Sequence, residues 1–413
     1  MNTSSTTVTA VLLAIALAAP SHAEVRRAFV TSTRGGGALQ DWSDSAGVGG
    51  LAGGDNICRA HAAVAGLPNA LTYRAWLSDS TTDAWCHVQG LTGTKDSACN
   101  GDPLPGAGPW MQVDGTTPFL GSLAEATGLP AVIYNPVQFD ESGVEVSDSG
   151  SFAWTGTGRD GRALGSTCSG WTTSSGTFGE LGDATTTIGL WTDLGTGFCT
   201  EELRLVCLEP GAGDPVAIDR SPASIAFVTG SYGSTDLGSW PQAGGATGID
   251  AGDAICRQLA LDAGLPVPES FVAWLSDSAH DARDRIVSNG PFVRLDGIRI
   301  ADTKDDLLDG VANSSLHIRQ EGMSLLGAGQ VATGTLADGT ASGSDCDGWT
   351  AATAFQVTAG SSSSARTGQW TDSYTPECGP SGWYLYCVSN ALVIFWDGFE
   401  QTGDTSRWTL SRP

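Results

Sequence analysis

Positive charge is scarce in this chain. Its 413 residues include 20 Lys and Arg against 45 Asp and Glu, which gives a formal net charge of −25 at pH 7. A surface with so few cations argues against a nucleic-acid binder and against a protein held electrostatically on anionic lipid. We therefore expect neither nucleic acid nor a charged lipid surface among its partners.

The motifs of familiar hydrolases are also missing. The chain contains no Gly-x-Ser-x-Gly sequence, and only four histidines follow residue 23. A Ser or Cys nucleophile usually needs a basic His beside it. None of these histidines recurs in the internal repeat described below, which favours surface or packing roles for His61, His87, His280 and His317.

Long apolar runs are equally rare. Residues 10–19 form an apolar run that is too short to cross a bilayer. Pro20 and a small-x-small pattern follow it, so residues 1–23 are predicted to be a signal peptide that is cut before Glu24. No later segment is apolar for 18 residues. We expect an exported chain without a transmembrane anchor, located in the periplasm, on the cell surface or outside the cell.

The rest of the chain contains one unit twice. The sequence AFVT occurs at 28–31 and 226–229, and AWLSDS occurs at 75–80 and 273–278, both at an offset of 198 residues. At Gly108 and Gly290 the offset is 182, which predicts 16 extra residues in the first copy between Asp83 and Gly108. The predicted divisions are a first domain (24–210), a linker (211–221), a second domain (222–390) and a tail (391–413).

The ten cysteines, an even number, fit an oxidising compartment. Cys86 and Cys99 have no counterpart in the second copy, so they most simply bond to each other. No closely spaced Cys-x-x-Cys pair supports a zinc site. The other eight form two corresponding sets of four, each with three possible pairings: Cys58, Cys168, Cys199 and Cys207, and Cys256, Cys346, Cys378 and Cys387.

Short elements separated by long loops predict an α+β fold. Residues 55–65 and 253–263 are predicted to be helices that begin at an Asp cap and end at a Gly. Strands are predicted at 28–31, 73–77, 152–155, 188–192 and 203–208, with equivalents in the second copy. Recurrence in both copies favours core positions for Trp42, Trp76, Trp171, Trp191, Trp240, Trp274, Trp349 and Trp370.

Several motifs resemble the endostatin domain, a member of the C-type-lectin-like fold. They are GGDNIC at 53–58, YRAWLS at 73–78, AWTG at 153–156, CSGW at 168–171 and LVC at 205–207. The resemblance covers about residues 26–210 and 224–390. Within this fold, the chain is most similar to bacterial secreted domains of unassigned function. It implies two tandem, loop-rich, disulfide-stapled domains, each with its first and last strands paired.

The resemblance also implies nested bridges, Cys58–Cys207 with Cys168–Cys199 and Cys256–Cys387 with Cys346–Cys378. Sugar-binding members of the fold hold Ca²⁺ through a Glu-Pro-Asn or Gln-Pro-Asp triplet and a Trp-Asn-Asp motif. Both triplets are missing here, and the Trp-Thr-Asp sequences that end at Asp193 and Asp372 lack the Asn. These two carboxylates are the only metal candidates, for calcium, and no other cofactor is implied.

The sequence alone names no ligand. We predict a secreted, non-enzymatic recognition or adhesion protein that binds a glycan or an extracellular protein. Trp85 and Trp110, in or beside the extra loop of the first copy, are the candidate ligand-contacting side chains. Two alternatives stay open: an extracellular hydrolase of polysaccharide or cell-wall polymer that uses loop carboxylates, and a structural envelope protein.

Overall fold

The computed structural model describes residues 25–128, 131, 133–146, 151–187, 189–216, 221–310, 312–325, 329–365 and 368–393. The predicted signal peptide, residues 217–220 of the predicted linker and the tail beyond residue 393 lie outside these ranges. The described chain is mixed α and β, with several sheets. None of its helices combines the length and the apolar character needed to cross a membrane.

Each half has one long helix and a series of short elements. Those of the first half are β1 (Arg26–Val30), α1 (Gly50–Val64), β2 (Arg74–Ala75), α2 (Ala84–His87), β3 (Trp110–Met111), β4 (Pro118–Leu120), α3 (Leu123–Ala126), β5 (Phe152–Trp154), α4 (Cys168–Trp171), β6 (Phe178–Asp183), β7 (Gly195–Phe198) and β8 (Arg204–Leu208). Those of the second half are β9 (Ser224–Val228), α5 (Gly248–Asp262), β10 (Phe271–Ala273), α6 (Ala282–Arg285), β11 (Phe292–Val293), β12 (Arg299–Ala301), α7 (Lys304–Leu307), β13 (Gln330–Ala332), α8 (Cys346–Trp349), β14 (Ala359–Ser361), β15 (Trp383–Tyr384) and β16 (Tyr386–Ser389).

The first and last strands of each half pair with each other. Strand β1 is antiparallel to β8, with Phe29 opposite Cys207, and β9 is antiparallel to β16, with Phe227 opposite Cys387. The described strands of the first half form one sheet in the order β4-β3-β1-β8-β5-β6-β7, with β2 on β8. Those of the second half form two sheets, β10-β16-β9-β11-β12 and β14-β13-β15. The two ends of each half therefore lie side by side.

The long helix of each half begins earlier than predicted. Helix α1 starts at Gly50 and α5 at Gly248, so the expectation that Asp55 and Asp253 cap them is wrong. The Asp55 carboxylate instead accepts a hydrogen bond from the Ala75 backbone N–H at 3.1 Å, and the equivalent bond in the second half is 2.9 Å long. Each Asp is thus committed to tying its helix to the following strand.

Glycine allows α1 to lie close against β2. A Cβ atom on Gly54 would meet Leu77 Cδ1 at 2.8 Å and Ala75 Cβ at 3.0 Å. Beyond the end of the helix, Gly66 has a φ of +67°, a left-handed conformation that glycine adopts without a Cβ penalty. The helix therefore needs glycine both for packing and for its termination.

The recurring tryptophans lie in the core, as predicted, and none is more than 8% exposed. Trp76 packs on Trp191 with ring centroids 5.1 Å apart, and its indole N–H donates to Thr192 Oγ1 at 2.8 Å. The second half repeats this arrangement with values of 5.0 and 2.8 Å. The predicted strand at 188–192 is wrong for its described residues, because Gly189–Trp191 form a 3-10 turn that the Thr192 N–H closes.

Five disulfides cross-link the described chain, and it contains no free cysteine. Each bridge joins two residues of the same half. The pairs are the ones expected from the repeat and the resemblance: Cys58–Cys207, Cys86–Cys99, Cys168–Cys199, Cys256–Cys387 and Cys346–Cys378.

The extra residues of the first half begin later than predicted. Helices α2 and α6 occupy equivalent places, since the first N–H of each donates to the hydroxyl of Ser78 or Ser276 at 2.8 Å. Cys86 therefore belongs to a helix that both halves share. The 16 extra residues lie between His87 and Gly108.

Polar contacts join the two halves. Arg294 Nη1 donates to the Tyr134 carbonyl at 2.8 Å, and Thr187 Oγ1 lies 2.9 Å from His317 Nδ1. His317 is 1% exposed, so this imidazole is buried at the contact between the halves. The residue of the first half that corresponds to His317 is Gln138. The backbone carbonyl of each accepts a hydrogen bond from the backbone N–H eight residues later in the chain.

Acid is expected to weaken this contact through His317. Burial, followed by the charge of Arg294, lowers the pKa of His317 to about 3 although Asp296 opposes the shift; the ordinary value is about 6.5. Because the folded protein binds this proton less readily than the unfolded chain does, the stabilisation is complete above about pH 6.5 and is lost as the pH falls toward 3. We expect a loss on the order of a few kcal/mol, measurable by denaturant unfolding between pH 7 and pH 4.

The variant His317→Gln, which copies the first half, is the control. It should lose less stability on acidification than the unchanged protein, because it lacks the buried imidazole that must take up a proton. An equal pH dependence of the two proteins would contradict a role for His317.

Candidate functional site

The two candidate ligand-contacting tryptophans are buried. Trp85 is 5% exposed and Trp110 is 0% exposed. The Trp110 indole N–H donates to the Glu209 carbonyl at 2.8 Å, and the Lys95 ammonium lies 5.4 Å from the centroid of the Trp85 ring. Both rings fill the core of the first half, so contact with a ligand through them stays a prediction that their burial does not favour.

The two calcium candidates lie in different halves of the chain. Asp193 lies in the first half, where its Oδ2 is 3.5 Å from Arg159 Nε, and Asp372 lies in the second half. Burial raises the pKa of Asp372. Among the described residues, no group of three or more His, Cys, Asp or Glu side chains is arranged to hold a metal ion.

A buried carboxylate of the first half gathers cationic and ionisable partners. Asp55 accepts hydrogen bonds from Arg74 Nη1 at 2.8 Å and from His87 Nε2 at 2.9 Å, the imidazole N–H being the donor. In the second half, Asp253 contacts Arg285, which occupies the place of His87. Because both halves have this network, it serves their common fold.

A second polar cluster follows strand β1, and we name it the β1 loop site. It consists of Ser32, Thr33, Asp44, His61 and Glu141. His61 Nδ1 lies 2.8 Å from Glu141 Oε1, and Nε2 lies 2.9 Å from Thr33 Oγ1 and 3.5 Å from Asp44 Oδ2. The Ser32 hydroxyl donates to Glu141 Oε1, and its backbone N–H donates to Oε2 at 2.9 Å.

Four segments of the chain build the β1 loop site: the loop after β1, the 3-10 turn Ser43–Ser45 that contains Asp44, helix α1 and the loop that contains Glu141. His61 stands on the last turn of α1, one turn after Cys58, whose disulfide fixes the helix to β8. Glu141 follows Asp140, which forms a parallel bridge with Val30 at the end of β1. Since β1 also pairs with β8, the helix, the loop after β1 and the loop that contains Glu141 are anchored to one pair of strands.

Electrostatics assign the protons within the site. Burial alone would raise the pKa of Glu141, but hydrogen bonds from His61 and Ser32 outweigh it and lower the pKa to about 2. An ionised carboxylate only accepts hydrogen bonds, so His61 Nδ1 carries the proton shared with Glu141. In the neutral imidazole, Nε2 is then the acceptor for the Thr33 hydroxyl.

The residues that carry the hydroxyl groups are more exposed than the imidazole and the carboxylate beneath them. Ser32 and Thr33 are exposed, whereas His61 and Glu141 are each 6% exposed. The order hydroxyl, imidazole, carboxylate is the one in which a base and its orienting acid activate a nucleophile. The same exposed hydroxyls can also exchange hydrogen bonds with a polar ligand.

The second half lacks these ionisable groups. Its Gly230 N–H donates to Gln320 Oε1 at 2.6 Å, so a neutral amide holds the same loop. The hydroxyl of Ser231 is buried and has no hydrogen-bond partner within the described chain. The fold therefore does not require the charged set, and its presence in one half indicates a function. The corresponding pairs are Ser32 and Gly230, Thr33 and Ser231, Asp44 and Gln242, His61 and Leu259, and Glu141 and Gln320.

Sequence patterns alone did not predict the β1 loop site. The replacement of His61 by Leu259 in the repeat favoured a packing role for the histidine, whereas the structure places it between a carboxylate and a hydroxyl. The available signal was the joint loss of Ser32, His61 and Glu141 from otherwise repeated segments.

No protein-family model matches this chain, and no curated protein matches it. Its function is therefore argued from the site itself.

Proposed function

We propose that the chain is a secreted recognition protein built from two tandem C-type-lectin-like, endostatin-like domains, at about residues 24–210 and 222–390. The repeated pairing of first and last strands and the nested disulfides of each half support this fold. Disulfides persist in oxidising compartments, which supports export from the cytosol.

The β1 loop site carries the proposed recognition function, because it is confined to one of two similar halves. It presents the exposed hydroxyls of Ser32 and Thr33 next to the Asp44 carboxylate, which is 37% exposed. Hydroxyl and carboxylate groups on a rigid support are suited to hydrogen bonding with sugar hydroxyls.

Charge narrows the class of ligand. A net charge of −25 and the carboxylates of Asp44 and Glu141 at the site disfavour an anionic polymer. The proposed ligand is therefore a neutral glycan.

The test is binding to an array of neutral glycans by the unchanged protein and by the triple variant Ser32→Gly, His61→Leu, Glu141→Gln, which copies the second half. We expect the variant to bind about tenfold more weakly or worse, a loss of about 1.4 kcal/mol. Ser231→Ala, at the counterpart of Thr33, should bind normally. Melting temperatures establish that all three proteins are folded.

Two outcomes would contradict the proposal. One is that the unchanged protein binds no neutral glycan, or binds only an extracellular protein. The other is that the triple variant binds the same glycan with unchanged affinity.

A further inference from the structure

We infer that the β1 loop site is also catalytic, with His61 activating the Thr33 hydroxyl to cleave an acyl ester carried by the bound glycan. The choice of a glycan ester rests on the proposed function, whereas the hydrolytic chemistry rests on the geometry of the site alone.

The geometry meets the requirements for an activated nucleophile. Thr33 is an exposed residue whose hydroxyl lies 2.9 Å from His61 Nε2, and the opposite ring nitrogen lies 2.8 Å from Glu141 Oε1. Both distances are those of hydrogen bonds that pass a proton. Glu141 is the positioning residue, because it orients the ring and touches no reacting atom.

Two further groups can stabilise the charges that develop when the hydroxyl attacks: the Asp44 carboxylate and the backbone N–H of Thr33. Asp44 Oδ2 lies 3.5 Å from His61 Nε2, close enough to stabilise the imidazolium that forms when the ring takes the proton. The backbone N–H of Thr33 donates to no other described residue. It is available as a donor to an oxyanion formed beside its own hydroxyl.

The reaction balances with water as the only co-reactant. Thr33 Oγ1 forms a bond to the acyl carbon while its proton passes to His61 Nε2. The carbon–oxygen bond to the sugar then breaks, and the sugar oxygen takes the proton from Nε2. Water, deprotonated by the same Nε2, attacks the acyl carbon of the acyl-threonine. The bond between that carbon and Thr33 Oγ1 then breaks, and Oγ1 takes the proton back from Nε2. The products are a carboxylic acid and the free sugar hydroxyl, and Thr33 and His61 return to their starting state.

The surrounding charge selects the class of ester. Asp44 and Glu141 repel phosphate and sulfate esters, while a neutral acyl group such as acetyl meets no such barrier. The second half is a natural negative control for catalysis, because Ser231 retains a hydroxyl at the position of Thr33 but Leu259 replaces the histidine base.

The test is the hydrolysis of p-nitrophenyl acetate, which does not require glycan binding. We expect turnover by the unchanged protein, and a fall of about 100-fold or more in Thr33→Val and in His61→Leu, the range of general-base effects. Glu141→Gln should lower kcat while KM stays unchanged. Ser231→Ala, which lies outside the site, should match the unchanged protein. Mass spectrometry of the quenched reaction should find an acetyl group on Thr33.

The result separates this inference from the proposed function. Glycan binding without ester turnover, or undiminished turnover by Thr33→Val, overturns the catalytic role and leaves recognition standing. Ester turnover without glycan binding overturns the proposed ligand and supports the catalytic role.

Discussion

Replacing Cys58 and Cys207 together by alanine is expected to lower the free energy of unfolding of the first half by about 5 kcal/mol. The bridge spans a sequence separation of 149 residues. A crosslink over so long a loop removes much of the conformational entropy of the unfolded chain, and this entropy grows with the logarithm of loop length. Guanidinium unfolding followed by circular dichroism measures the loss.

The Cys86–Cys99 bridge is the matched control, because it lies in the same half and has a separation of only 13 residues. Its removal should cost about 3 kcal/mol. Equal losses for the two variants would show that loop closure does not determine the stabilisation. The double variant at Cys256 and Cys387, with a separation of 131 residues, should resemble the first pair in its effect on the second half.

Replacing Asp55 by alanine is expected to destabilise the first half by about 3 kcal/mol. Its carboxylate is 5% exposed and is hydrogen-bonded to Arg74, His87 and the Ala75 N–H. Removing it leaves buried donors without an acceptor, which costs more than the loss of an exposed ion pair. The measurement is again denaturant unfolding at neutral pH.

An exposed ion pair provides the control for this prediction. Asp193 lies 3.5 Å from Arg159, and both side chains are about one-third to one-half exposed. Asp193→Ala should therefore cost less than about 1 kcal/mol. A similar loss for the Asp55 and Asp193 variants would mean that the Asp55 network contributes little beyond an ordinary surface pair.

Repetition made parts of the fold predictable. A residue type that occurs at the same place in both copies is constrained by the shared scaffold, as Trp76 and Trp274 are, and both are buried. The correspondence of cysteines worked in the same way, since Cys86 and Cys99 were left to pair with each other. Comparing the two copies therefore identifies the residues that the shared fold requires. It gives no information about the role of a residue that occurs in one copy only.

Local sequence pattern predicted the wrong role where a side chain contacts residues that are distant along the chain. Asp55 resembles a helix cap in sequence, but its acceptors are used by residues of β2 and α2. Trp85 and Trp110 lie in or beside the extra loop in the sequence, a position typical of ligand-contacting side chains, but their rings fill the core. In each case burial is decided by elements that lie elsewhere in the chain.

The sequence by itself determined the duplication, the α+β class, the correspondence of the cysteines and the core positions of the recurring tryptophans. These features follow from composition and from matches along the chain. They can be found without knowing which distant residues contact each other in the folded protein. Only the tertiary structure decided that His61 meets Glu141, since 80 positions separate them and two loops and a helix must converge before the imidazole has a partner on each nitrogen.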